Sequence, residues 1–312
     1  MPDQWRIVFM GTPDFACSSL SALASSEDQV LAVVTQPDRP KGRGRKLAPP
    51  PIKVLAQKLG LEIWQPETVR HPDIITRLET LSPDLLVVVA FGQILSGKLL
   101  DLPRLAPLNV HASLLPAYRG PAPINWAIIN GESQTGVTTM FMDRGVDTGP
   151  ILLIRKTNIG EIETAGSLHD RLSKLGAELL IETIAGLKAS TVSSRSQPKE
   201  GISHAPLLRM SDGLLDWNRS AIELARLVRG LDPWPGAHTS FKDRRLKLYG
   251  GRVGEIQGQP GRILGLENGW LHIATSQGSL MIAEMQLAGH KRLTAPEFWH
   301  GQRLSTATVF GI

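Results

Sequence analysis

Leu85-Leu86-Val87-Val88-Val89-Ala90-Phe91 is the longest apolar run in the chain, and its reading decides the fold. It falls far short of the roughly 20 residues that cross a bilayer. It suits a strand buried on both faces, the kind that parallel sheets contain. Working outward, Ile7 to Met10 reads as another buried strand that ends at Gly11-Thr12-Pro13, after which Asp14 can cap a helix through Phe15, Leu20 and Leu23. Val30 to Thr35 and Leu108 to Ala112 add strands, with a helix from Ile52 to Leu59 between them. Strands that alternate with helices predict an α/β fold: a doubly wound, mainly parallel, Rossmann-like sheet. Val137 to Met142 and Ile151 to Ile159 then predict an antiparallel pair around a Gly/Asp loop, followed by a helix from Ser167 to about Leu187.

Periodicity is lost between Ala189 and Pro206, where Ser190, Ser193, Ser194, Ser196, Pro198 and Gly201 suggest a linker. Beyond it, Ser220-Ala221-Ile222-Glu223 has the pattern of a capping box, opening a helix that Gly230 can close. Five short strands follow: Ala237 to Phe241, Leu246 to Val253, Gly261 to Leu266, Trp270 to Thr275 and Leu280 to Leu287. They predict a small barrel or meander, and an OB-like β-barrel is the expected form. The expected division is therefore a domain over 1–189, a linker over 190–206 and a second domain over 207–312, in keeping with the length prior for 312 residues.

Composition narrows the class. With 42% hydrophobic and 20% charged residues the chain can bury a full core, so disordered and collagen-like classes are excluded. Cys17 is the only cysteine, which rules out an internal disulfide framework and a Cys-rich metal site. The opening residues lack the pattern of an export signal, and a cytoplasmic protein is expected. The net charge of +5 is uneven: from Pro206 onward 13 Lys and Arg face 9 Asp and Glu, which suggests an anionic partner such as nucleic acid.

The informative polar stretch is Leu108-Asn109-Val110-His111-Ala112-Ser113-Leu114-Leu115-Pro116. Residues two apart on a strand share a face, so Asn109 and His111 would point the same way at a strand's carboxyl end, where open α/β sheets bind ligands. An amide donor beside an imidazole suits acyl transfer, with one stabilising an oxyanion and the other moving a proton. By itself Asn-x-His is also the pattern of a pair that ties a strand end to the next loop. Asp147, in Met142-Asp143-Arg144-Gly145-Val146-Asp147-Thr148-Gly149, could accept from His111 and fix its tautomer, or merely cap its own turn.

Arg39, Lys41, Arg43, Arg45 and Lys46 form a basic stretch with no acidic residue, interleaved with Gly42 and Gly44, that reads as a flexible loop able to grip phosphates. It is not a P-loop, because the Gly-Lys-Ser/Thr ending is missing. No pair among the remaining histidines has metal-ligand spacing, so no metal is expected. Gly11-Thr12-Pro13 lacks the dinucleotide fingerprint, which argues against a nicotinamide cofactor.

Together the Asn-x-His strand, Ser113-Leu114-Leu115-Pro116 and the Gly/Asp loop resemble the formyltransferase family that uses 10-formyltetrahydrofolate. Val8-Phe9-Met10-Gly11-Thr12-Pro13-Asp14-Phe15, Thr35-Gln36-Pro37-Asp38-Arg39-Pro40 with the basic stretch, Ala90-Phe91-Gly92-Gln93-Ile94-Leu95 and Asp232-Pro233-Trp234-Pro235-Gly236-Ala237 resemble more narrowly the branch that formylates methionyl-tRNA. The resemblance spans nearly the whole chain. It implies Asn109, His111 and Asp147 as catalytic residues. It also implies a folate donor against Phe91, Gly92, Gln93, Ile94, Leu95 and Asp143, beside Ser113, Leu114, Leu115 and Pro116. Initiator methionyl-tRNA would be the acceptor, touched by the basic stretch, in a monomer without a membrane partner. A small-acceptor formyltransferase for glycinamide ribonucleotide or an amino sugar, a formyltetrahydrofolate hydrolase and a silent RNA-binding module are the rival readings.

Overall fold

The fold is described from a computed structural model, in residues 4–41, 44 and 46–311. The chain divides into two compact units: Met1–Gly120, Gly136–Thr157 and His169–His204 form the first, and Pro121–Thr135, Asn158–Leu168 and Ala205–Ile312 the second.

In the first unit β1 (Arg6–Gly11) leads through α1 (Phe15–Ala24) to β2 (Gln29–Val34). A ribbon of β3 (Arg39–Lys41) and β4 (Lys46–Ala48) precedes α2 (Pro51–Lys58), β5 (Ile63–Trp64), α3 (Pro72–Leu81), β6 (Leu85–Val89), α4 (Gly97–Leu100) and β7 (Leu108–His111). After α5 (Pro123–Ile129), which belongs to the second unit, β8 (Gln134–Phe141) and β9 (Ile151–Asn158) return to the sheet, and α6 (Ala165–Lys188) follows. The sheet order is β5-β2-β1-β6-β7-β8-β9. β2, β1, β6 and β7 are parallel neighbours, and β8 runs antiparallel to β7. Every residue of β6 is buried, as its uninterrupted apolar sequence requires. On one side of the sheet Val8, Met10, Leu86 and Val88 join Leu78 and Leu99 in a single cluster. On α6, Ser173 donates to the Phe15 carbonyl at 2.8 Å and Thr183 meets Thr139 of β8 at 2.8 Å.

In the second unit, α7 (Ala221–Gly230) opens with the expected capping box: Glu223 N–H donates to Ser220 Oγ at 3.4 Å, and Ser220 N–H donates to Glu223 Oε2 at 3.0 Å. Gly230 closes α7 as expected. It is the last helical residue, and a Cβ there would lie 2.5 Å from Ile129 Cγ1, so the glycine lets α7 approach α5. The strands are β10 (His238–Phe241), β11 (Arg244–Tyr249), β12 (Arg252–Gly254), β13 (Ile263–Glu267), β14 (Trp270–Ala274), β15 (Ser279–Ile282), β16 (Glu284–Leu287) and β17 (Leu293–Thr294), closed by α8 (Ala295–Gln302). They form two four-stranded sheets, β10-β11-β16-β17 and β12-β15-β14-β13. Two of the five expected strands are thus each broken in two, at Gly250-Gly251 and at Ala283, and cross from one sheet to the other at the break. Corner strands that switch sheets are how small β-barrels wrap one core. That core gathers Leu246, Leu271, Ile273, Leu280, Ile282, Met285 and Phe298.

Candidate active site

β7 holds Asn109 and His111 because its two neighbours fix their register: Asn109 pairs with Val88 of β6 and Met140 of β8, and His111 pairs with Thr138. The two side chains share one face of the strand. Asn109 is half-buried, and its carboxamide has no hydrogen-bond partner among the described residues. His111, the last residue of β7, is buried.

The ring of His111 is oriented by a group the sequence did not suggest. Its Nε2 lies 3.0 Å from the carbonyl oxygen of Tyr118. A carbonyl only accepts, so Nε2 carries the proton and, in the neutral ring, Nδ1 carries the lone pair. Asp147 Oδ2 stands 3.7 Å from Nδ1, at ion-pair range and beyond a hydrogen bond. The expected partner is therefore near, but the tautomer is fixed by Tyr118. The same Asp147 oxygen accepts from the Gly120 N–H at 2.8 Å. Asp147 is itself in the left-handed region, with φ 53°. An imidazole with a free Nδ1 lone pair, a carboxylate at ion-pair range and an unpartnered amide can together carry acyl transfer.

The loops flanking this strand end are built differently from one another. Ala90 and Gly92 take positive φ, and the Phe91 carbonyl between them accepts from Thr12 Oγ1 at 2.8 Å and Gln36 Nε2 at 3.4 Å. Gln93 Oε1 accepts from Val69 N–H at 2.8 Å, so its side chain supports the loop. Phe91 and Leu95 are buried in the apolar cluster on which Met142 packs. Ile94 is left 68% exposed. Val146, in the Gly/Asp loop, is 63% exposed. Asp143 accepts from Gly145 N–H at 2.9 Å and Thr148 Oγ1 at 2.6 Å, and so stabilises its own turn. Ser113 is buried, donating to the Ala117 carbonyl at 2.6 Å, with Leu115 buried beside it and Leu114 and Pro116 partly exposed. Of the residues read as contacts for a donor, Gly92, Ile94 and Asp143 offer the most open surface.

The basic stretch is a ribbon at its base rather than a plain loop. Arg39, Pro40 and Lys41 pair with Ala48, Leu47 and Lys46. Gln65 and Lys53 donate to Asp38 at its foot, at 2.7 Å and 2.8 Å, and hold that carboxyl below the usual carboxylate range, with Gln65 the larger influence. Arg39 lies 3.9 Å from Glu67. Arg43 and Arg45 fall outside the described residues, as does the side chain of Lys41.

Sequence reasoning missed Tyr118, Gly120, Gln197 and Ser203. The segment read as a linker is bonded to the site: Arg195 exchanges two backbone hydrogen bonds of 2.8 Å with Ile151, and Ser203 accepts from Tyr118 N–H at 2.9 Å. These bonds link positions 44 to 85 residues apart and leave no local periodicity to read. No group of three or more His, Cys, Asp or Glu suited to a metal is found among the described residues, and no helix among them is long and apolar enough to cross a membrane.

The fold is that of a doubly wound α/β protein, with an amide and a carboxylate-flanked imidazole suited to group transfer at one strand end. The chain belongs to the formyl transferase family: residues 5–184 match the family described as formyl transferase, and residues 208–303 match its C-terminal domain. Among curated relatives, it is 50% identical over 98% of both chains to a methionyl-tRNA formyltransferase of Geobacter metallireducens. It is 52% identical to one of Pelobacter propionicus, over 98% of this chain and 96% of that one. The fold is similar to that of a sugar 3N-formyl transferase solved in the presence of dTDP and 5-N-formyl-THF, with TM-score 0.67 and 17% identity over 92% of this chain and 99% of that one.

Proposed function

We propose that this chain transfers the formyl group of 10-formyltetrahydrofolate to the α-amine of initiator methionyl-tRNA, in translation initiation in the cytoplasm, as a monomer. The acceptor rests on the relatives that carry this name along nearly their whole length. The chemistry rests on one observation, the Nδ1 of His111 held open beside Asp147 on the face shared with Asn109. The folate donor fits the exposed apolar side chains of Ile94 and Val146 on the two loops that flank that strand end.

An unperturbed α-amine has a pKa of about 7.7 to 8.0 and attacks when neutral, so direct displacement suffices. Asn109 donates to the formyl oxygen as negative charge develops on it. His111 Nδ1 takes the proton that the amine loses, and Asp147 stabilises the resulting imidazolium, while the Tyr118 carbonyl keeps hold of Nε2–H. The bond between the formyl carbon and the tetrahydrofolate nitrogen then breaks, and that nitrogen leaves with the electron pair and takes the proton from His111 Nδ1, returning the imidazole to its neutral form. Residues 1–189 carry this chemistry and 207–312 form a tRNA-binding domain, joined through 190–206.

Arg39, Lys41, Arg43, Arg45 and Lys46 grip phosphates of the acceptor. Replacing Arg43 and Arg45 together with Ala weakens tRNA binding and reduces the slope of log affinity against log salt by about 1 to 2. An unchanged slope removes the ribbon from the interface. The function itself is tested by incubating the protein with formyl-labelled donor and methionine-charged initiator and elongator tRNAs. Label on the initiator aminoacyl-tRNA is expected, and label on neither RNA contradicts the reading.

A further inference from the structure

We propose that Gln197 is a positioning residue for formyl transfer, acting through Asp147. The inference rests on the reading of His111 and Asp147 given above. Gln197 lies in the aperiodic segment between the two family-matched regions, yet its amide is saturated. Nε2 donates to the carbonyls of Asp147 and Gly149, each at 2.8 Å. Oε1 accepts from both Nε and Nη2 of Arg119, at 3.1 Å and 2.7 Å. Two donors face two carbonyls and one oxygen faces two guanidinium N–H groups, so the reversed amide would lose all four bonds and its orientation is fixed.

The clamp joins the two segments that define the surroundings of His111. One is the 118–120 turn, whose Tyr118 carbonyl holds Nε2–H and whose Gly120 N–H holds the Asp147 carboxylate. The other is the 147–149 turn, which carries that carboxylate. Asp147 is a non-glycine residue at φ 53°, a sparsely populated conformation that its surrounding bonds help to hold. Its carbonyl is held by Gln197 and its carboxylate by Gly120, so both ends of the residue are fixed. Backbone pairing of Arg195 with Ile151 and of Arg119 N–H with the Ser203 carbonyl anchors the clamp on either side of Gln197. The separation of 3.7 Å between Asp147 and His111 Nδ1 is set by this network rather than by a direct hydrogen bond.

Gln197→Glu keeps an acceptor toward Arg119 but turns the other oxygen against the two carbonyls, releasing the 147–149 turn. The test measures kcat and both KM values in wild type, Gln197→Glu, Asp147→Asn and the double variant. Gln197→Glu is expected to lower kcat about tenfold or more, with KM changed less than about threefold, and to cost less than about twofold further in the Asp147→Asn background. Gln197→Met fills the same space without repelling the carbonyls and gives the same cycle if the Glu variant does not fold. An equal loss in both backgrounds, a loss confined to KM, or full kcat in the Gln197 variants overturns the proposal. Full kcat in Asp147→Asn overturns the reading of the site, and the proposal with it. A loss there beside an unaffected Gln197 variant overturns the proposal alone.

Discussion

The carboxyl end of the central sheet and the C-terminal β unit hold their irregular backbone in opposite ways. In the β unit, left-handed residues sit in short turns: Lys242 and Asp243 join β10 to β11, and Asn268 and Gly269 join β13 to β14. Two successive positive φ values are what tight hairpins need. Its helices α7 and α8 are sealed by partners three residues away, Ser220 with Glu223 and Thr294 with Glu297. At the sheet end, Ala90, Tyr118 and Asp147 take positive φ outside hairpins, each at a cost of about 1 kcal/mol or more. They are held by bonds that span the sequence, such as Gly120 to Asp147 and Tyr118 to Ser203. Strain supported from a distance is what a site requires when its groups must stay put without bonding to one another.

That contrast is broken most sharply at His111. His111→Asn removes the proton acceptor and is expected to lower kcat by about 10² to 10⁴ with tRNA affinity unchanged, checked by steady-state formyl transfer and filter binding. Retained turnover would place the proton transfer elsewhere. Next comes Gly149→Ala. A Cβ there would stand 1.8 Å from the Phe141 carbonyl oxygen, so the turn must move. Overpacking of this kind costs about 1 to 3 kcal/mol in denaturant titrations, with loss of kcat alongside. An unchanged midpoint and rate would show that the turn has slack.

The smallest effect belongs to the β unit. Ser220→Ala should cost about 1 kcal/mol, the usual worth of a helix cap, and should leave the chemistry of the central sheet intact. The Ser220 hydroxyl and backbone N–H, followed by Arg219, lower Glu223 from its ordinary value of 4.5 to about 2. A depressed carboxyl stabilises the fold above its ordinary value and loses that contribution as pH falls toward the lowered one. The stability difference between wild type and Glu223→Gln is therefore full above pH 4.5 and fades as pH approaches 2. A difference independent of pH in that window would contradict the cap as described.

The same contrast explains what could be read in advance. β1, β2, β6 and β7 were legible because buried parallel strands are written as local apolar runs, and Ser220 with Glu223 because a capping box spans four positions. β11 and β12 were read as one strand, as were β15 and β16, since a strand that changes sheets keeps its local pattern through the corner. Asn109 and His111 stood out as a spaced pair on a strand. Tyr118 and Gln197 did not, because the former contributes only a carbonyl to His111, which every residue has, and the latter sits where no periodicity marks it. Gly230 closes α7 as read, while the packing against Ile129 that its missing side chain permits has no local sequence pattern to show it.

The central claim is that Asn109 holds the developing oxyanion. Single-turnover formyl transfer to saturating initiator methionyl-tRNA, wild type against Asn109→Ala, tests it most directly. The account predicts a rate about 10² to 10³ lower with the tRNA dissociation constant unchanged. Equal single-turnover rates, or a loss that disappears at higher tRNA concentration, would contradict it.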